Sequence, residues 1–134
     1  MRHMELLLDT NVLLRAVSSK ELLNRQCLRL LADQSNSLFL SAASIWEVVI
    51  KHSLGRLVLP DSPPRWLSDR IRTFGMQTLD VTPAHAFAVA NLPSPHRDPF
   101  DRMLIAQAKA EQLTLLTTDR IFQSYPVDVV LCGA

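Results

Sequence analysis

Glycine is scarce. The chain has three, Gly55, Gly75 and Gly133, and no two lie close together. A loop that cradles phosphate needs several glycines within a few residues, for tight turns and close backbone approach. This argues against Walker-type nucleotide hydrolases and dinucleotide-binding folds. Cysteine is scarce too. Cys27 and Cys132 stand in apolar surroundings without metal-ligand spacing, as reduced core thiols of a cytosolic protein do. Apolar runs are short, as at Leu6-Leu7-Leu8, so no membrane span is expected. Nor is a cleavable leader: Arg2 and His3 precede an apolar stretch that Glu5 and Asp9 bracket too tightly. Met1 and Met4 are both possible starts. Charge of one sign is missing as well. Fourteen Lys and Arg against thirteen Asp and Glu leave a net charge of +1, so contact with nucleic acid would need a local patch.

What is present is an ordinary globular composition, 48% apolar over 134 residues. That predicts one domain spanning 1–134, with a core that needs neither disulfide nor structural metal. Short apolar segments at 5–8, 37–40, 78–81, 113–116 and 127–131 read as strands. Between them run helical patterns. Ser18-Ser19-Lys20-Glu21 has capping-box spacing and is expected to open a helix with the stripe Leu23, Cys27, Leu30, Leu31. Ser41 or Ser44 caps a helix to about Leu54, with Gly55 as its stop. That helix is apolar most of the way round and is expected to be central. Ser62 or a neighbour caps the next, with Leu67, Ile71 and Phe74 inward and Gly75 ending it. Thr82-Pro83 and Asp98-Pro99 each read as cap plus first-position proline. Ala84, Phe87 and Ala88 are expected inward; 92–99 reads as a proline-rich loop, and the last helix runs to about Gln112. Strands separated by helices imply a parallel sheet covered on both faces, a small three-layer α/β domain.

Four carboxylates draw attention. Asp9 and Asp119 each follow an apolar strand, and open α/β sheets bind ligands at the carboxyl ends of their strands. Either acid alone also serves as a turn or cap residue. Glu47 and Asp101 have the same double reading, because Ser44-x-x-Glu47 and Asp98-x-x-Asp101 have capping spacing. The helix faces point further: Leu104, Ile105 and Ala108 share Asp101's face, and Ile50 and Leu54 share Glu47's. An inward carboxylate needs a partner, and a divalent cation would neutralise several at once.

Four motifs carry a family resemblance. Asp9-Thr10-Asn11-Val12-Leu13-Leu14 after an apolar strand resembles the opening motif of PIN-domain nucleases. Ser44-Ile45-Trp46-Glu47 resembles their second motif, the run from Arg97 through Asp98-Pro99-Phe100-Asp101-Arg102 to Ala108 the third, and Leu115-Leu116-Thr117-Thr118-Asp119 the fourth. Order, spacing and length agree over essentially the whole chain. Similarity is strongest to VapC-type toxins of bacterial toxin–antitoxin pairs, in the branch with an Asp-Pro-Phe-Asp segment.

The resemblance implies a PIN-like fold with a central parallel sheet of about five strands. It implies a catalytic, metal-binding cluster of Asp9, Glu47, Asp101 and Asp119. Mg²⁺ or Mn²⁺ suits such an all-oxygen set, and a water activated there hydrolyses a phosphodiester of RNA. It also implies a cognate antitoxin protein laid over the acidic cleft, often with a basic side chain facing the acids, a homodimer, and a cytoplasmic setting. Asn11 and Thr117 are candidates to orient carboxylates or water, and each is equally a turn residue. Asp98 is either a helix cap or a secondary metal residue. Arg102 is the favoured phosphate contact. Lys51, Arg56, Arg65, Arg70, Arg72 and Arg97 are further candidates, although a basic stretch also serves as a solvated helix face and Lys51 also suits an i, i+4 pair with Glu47. Trp46 and Trp66 read as core or interface residues. Three competing readings are a non-catalytic PIN scaffold that only binds a partner, a haloacid-dehalogenase-like phosphatase and a receiver-type phosphoacceptor. The phosphatase would need an acid where Asn11 stands.

Overall fold

The computed structural model describes residues 3–93 and 98–134. Five strands form one parallel sheet: β1 (Glu5–Leu8), β2 (Ser37–Ser41), β3 (Gln77–Leu79), β4 (Thr114–Thr117) and β5 (Val129–Leu131), in the order β3-β2-β1-β4-β5. Among the described residues six α-helices connect them: α1 (Thr10–Ser18), α2 (Arg25–Ala32), α3 (Ala42–Ser53), α4 (Pro63–Phe74), α5 (Pro83–Val89) and α6 (Pro99–Glu111). The three-layer α/β expectation holds.

The alternation of β1 side chains explains the layers, since successive residues of a strand point to opposite faces. Leu6 and Leu8 join Leu40, Leu116 and residues of α1 to α4, including Val12, Cys27, Val48 and Leu67. Leu7 joins Leu115, Leu104, Ile105 and Phe122 on the other face, with α5 and α6. All three leucines of β1 are essentially fully buried, and each burial contributes roughly 1.5–3 kcal/mol. The central strand is thus apolar throughout, as a strand covered on both faces must be.

Five expectations need correction. No helix opens at Ser18. Instead α1 occupies Thr10–Ser18 directly after β1, Ser19 precedes a single 3-10 turn at Lys20–Leu22, and α2 starts at Arg25 under an Asn24 cap. Asn24 Oδ1 accepts from Cys27 N at 2.9 Å, and its Nδ2 donates to Leu131 O at 2.8 Å, so the side chain ties α2 to β5. Second, α3 is capped by Ser41 and is less central than its composition suggests: Trp46 is 62% exposed and Leu54 60%. Third, Phe87 of α5 points outward and His85 is the buried residue. His85 Nδ1 accepts from Thr82 N while its Nε2 meets Glu111 Oε2 at 2.8 Å, so a polar ring fills the expected apolar place. Fourth, strands three to five are shifted or trimmed at their ends, to Gln77–Leu79, Thr114–Thr117 and Val129–Leu131. Fifth, a 3-10 helix, Arg120–Ser124, follows β4 where no element was expected. The predicted stops hold, with Gly55 and Gly75 in the left-handed region at φ +72° and +65°. The predicted 92–99 loop lies partly outside the described residues, as does Arg97.

Candidate functional site

The sheet order reverses between β1 and β4, which are paired neighbours although β2 follows β1 in sequence. Their carboxyl ends form the crevice where open α/β sheets hold ligands. Asp9 leaves β1 there as the residue that opens α1, with extended backbone and no side-chain cap bond. The cap reading of its carboxylate therefore fails. It is only 5% exposed and accepts from Thr117 Oγ1, at the end of β4, at 2.8 Å. Burial is the main force that raises the Asp9 carboxyl, followed by repulsion from Asp101, with Glu47 adding less. The Thr117 hydroxyl opposes them, and the net position is about 7.

Glu47 lies in the second turn of α3, past the reach of a first-turn capping box, so its capping reading also fails. It too is only 5% exposed. Thr10 Oγ1 donates to its Oε1 at 2.6 Å, and Lys51 Nζ stands 2.8 Å from its Oε2. Thr10 is a site residue that sequence reading missed. With 9–11 read as a turn, its side chain had no defined direction; as the first residue of α1 it faces α3.

Asp98 and Asp101 divide the roles the sequence left open. Asp98 Oδ1 accepts from Phe100 N at 2.9 Å and Asp101 N at 3.1 Å, so it is the cap of α6. Asp101 stands in the first turn above it, close enough to Asp9 and Lys51 to act on both charges. Trp46 and Phe100 meet edge to face with ring centres 5.4 Å apart. They pin α3 to α6 one residue before each acid, Glu47 and Asp101. Trp66, by contrast, is a core residue.

Asp119 departs from the cluster. It is exposed, its Oδ1 caps the 3-10 helix by accepting from Ile121 N, and its own N–H donates to Thr117 Oγ1 at 3.1 Å. Thr117 is therefore the link between Asp119 and Asp9. The structure brings Asp9, Glu47 and Asp101 together and leaves Asp119 on the rim. Asn11 is exposed. Arg102 is a correction: its guanidinium donates to the carbonyls of Pro93 and Val89 at 2.6 and 3.1 Å, so it clips the segment before α6 rather than facing the crevice. Most of the basic stretch is also committed elsewhere: Arg65 pairs with Asp61, Arg72 with Asp69, and Arg70 lies over the Trp66 ring.

Among the described residues no group of three or more His, Cys, Asp or Glu side chains is already gathered as a ligand set. The donor chemistry nevertheless fits a hard divalent cation. Two buried carboxylates and a third close by are all-oxygen donors, and burial together with their mutual repulsion raises Asp9.

A sequence model of the PIN domain matches residues 6–127. Ribonuclease VapC16 from Mycobacterium tuberculosis is 43% identical over 53 residues, which is 40% of this chain and 38% of that protein. The chain thus matches about two fifths of the length of that curated relative. Among solved structures, DNA-bound VapBC2 from Rickettsia felis superposes with a TM-score of 0.71 at 19% identity, covering 97% of this chain and 100% of that one. DNA-bound VapBC from Salmonella typhimurium gives 0.69 at 18% identity, covering 95% and 97%. At these identities the likeness is one of fold. The family match sets aside the phosphatase and receiver readings. With the sequence match running from β1 past β4 and the acids at the crevice between those strands, the chain belongs to the PIN-domain family.

Proposed function

We propose that this chain is a divalent-metal-dependent endoribonuclease and the toxin of a toxin–antitoxin pair, its 134 residues working as one nuclease domain. One observation carries the nuclease reading. Asp9 and Glu47 are both 5% exposed at the switch point of the sheet, with Asp101 beside them. Buried carboxylates in repulsion raise the energy of the empty site, which a cation relieves. The relative named a ribonuclease and the solved VapBC complexes support the toxin reading.

Asp9, Glu47 and Asp101 would hold Mg²⁺ or Mn²⁺, with Asp119 joining from the rim. The cation supplies charge neutralisation at the phosphate and acidifies water near neutral pH. The chain's own residues prepare for this. Thr117 fixes the Asp9 carboxylate, Thr10 fixes Glu47, and Asp98 sets the first turn of α6 so that Asp101 faces the crevice. The substrate is RNA, and among the described residues no helix is long and apolar enough to cross a membrane. We assign the protein to the cytoplasm, held in check there by an antitoxin over the crevice. Trp46 and Val49 are exposed on α3 and Leu54 just past its end, an apolar surface suited to a homodimer.

The test is cleavage of a structured RNA with Mg²⁺ or Mn²⁺, with chelator, and with Asp9→Asn. Cleavage should need the metal and vanish in the variant. Cleavage that survives both chelator and Asp9→Asn would remove the reading.

A further inference from the structure

Lys51 has no role in the nuclease site described above, yet it is the cation the structure brings to Glu47. Its Nζ lies 2.8 Å from Oε2, while the Thr10 hydroxyl holds Oε1 at 2.6 Å. Both oxygens of a buried carboxylate are therefore engaged. A divalent ion cannot take Oε2 directly while the ammonium sits there. The i, i+4 spacing places the ammonium against the carboxylate one helical turn back. The Lys51 side chain is also 44% exposed, so the head group has an open way out of the crevice on a flexible four-carbon stem. Asp98 and Asp101 lie near enough to stabilise its charge as well. Three other cations of this stretch, Arg65, Arg70 and Arg72, face Asp61, the Trp66 ring and Asp69 instead.

We propose that Lys51 is a resident counter-ion of the acidic site: it neutralises Glu47 until a divalent cation displaces it, and the released ammonium then holds a phosphate oxygen of the RNA beside the scissile bond. The inference rests on the nuclease reading. Its first half follows from the cost of leaving a buried carboxylate without a counter-charge. Its second half follows from where a displaced ammonium on α3 can go: it stays tethered at the mouth of the crevice, where a backbone phosphate must lie to reach the acids.

The experiment compares full-length wild type, Lys51→Met and Lys51→Arg in three measurements. These are Mn²⁺ affinity by electron paramagnetic resonance of free Mn²⁺, melting in chelator, and cleavage of a structured RNA at saturating Mn²⁺. Lys51→Met should bind Mn²⁺ at least ~3-fold more tightly, since a half-exposed ion pair no longer competes. It should melt lower without metal. At saturating metal its KM for RNA should rise about 10-fold through loss of one charged phosphate contact. Lys51→Arg should return Mn²⁺ affinity towards wild type. A purely structural ion pair would give unchanged or weaker Mn²⁺ binding in Lys51→Met, and that result overturns the proposal. Lys51→Gln replaces Lys51→Met should the latter fail to fold. If wild type binds Mn²⁺ and cleaves while Lys51→Met matches it in affinity and KM, only the role of Lys51 falls. If wild type neither binds Mn²⁺ nor cleaves, the nuclease reading falls and takes this inference with it.

Discussion

Asp9 has the most to say about conditions. Its carboxyl stands at about 7 in the folded chain against an ordinary 3.8. Between those two pH values the folded protein keeps a proton that the unfolded chain has lost, so the stability it confers falls as pH rises through 7. Metal-free protein should therefore melt lower at about pH 8 than at about pH 5.5 by more than Asp9→Asn does, because asparagine has no proton to lose. At the higher pH the variant should be more stable than wild type by on the order of 4 kcal/mol. Equal pH slopes in the two melting series would show that Asp9 is not the group responsible. Thr117 gives a second prediction at this scale. Its hydroxyl donates to Asp9 and accepts from the Asp119 N–H, so Thr117→Val removes both contacts while keeping shape. Metal affinity or cleavage should drop by about 10–100-fold with little change in melting. Asp9, Glu47 and Asp101, the three acids that the structure brings together, could be picked out in the sequence because each falls at a set distance from a strand end or a helix start. Thr10 was not: a hydroxyl beside an acid looks like a turn residue until α1 gives it a direction. Arg102 misled for a related reason. Its place beside Asp101 suggested phosphate, but its reach is taken up by carbonyls of the preceding segment.

At the scale of elements, the first turn of α6 decides where Asp101 stands. Asp98 Oδ1 closes that turn through two backbone N–H groups. Asp98→Ala should lower stability by about 1 kcal/mol and reduce cleavage with it, whereas Asp98→Asn, which retains an acceptor oxygen, should be close to wild type in both. Urea unfolding and a cleavage assay on the pair check this; an inactive, fully stable Asp98→Asn would return Asp98 to the metal set. The helices that begin with Thr82-Pro83 and Asp98-Pro99 could be read from sequence, because cap and proline act locally. The segment 10–32 could not. Ser18-Ser19-Lys20-Glu21 has the letters of a capping box, yet the residues before it already form α1 against β1, and Asn24 makes the true cap by also bonding Leu131. That second bond crosses the length of the chain, so no local pattern contains it. His85 is similar. Its burial depends on Thr82 and Glu111 together, a pairing that the periodicity of 83–89 does not reveal.

At the scale of the molecule, strand order and motif order together bring distant residues to one crevice, and this much was visible as four motifs in sequence. What the sequence hid was the unequal standing of the acids: Asp9 and Glu47 buried, Asp119 on the rim. It also hid the outward face of α3, since an apolar helix reads the same whether its partner is its own core or a second chain. If that face makes the homodimer, Trp46→Ser with Leu54→Ser should convert the protein to monomer in light scattering and leave metal binding intact; an unchanged mass would place the dimer contact elsewhere. The central claim is that these acids hold a divalent cation, and Mn²⁺ binding measures it most directly. Full-length wild type, Asp101→Asn and Asp98→Asn would be titrated with Mn²⁺ while free ion is followed by electron paramagnetic resonance. The expected result is saturable binding in wild type and Asp98→Asn, at least about 10-fold weaker in Asp101→Asn, with metal-free melting of Asp101→Asn unchanged or higher as repulsion falls. Absence of saturable binding in wild type, or equal affinity in all three proteins, would contradict it.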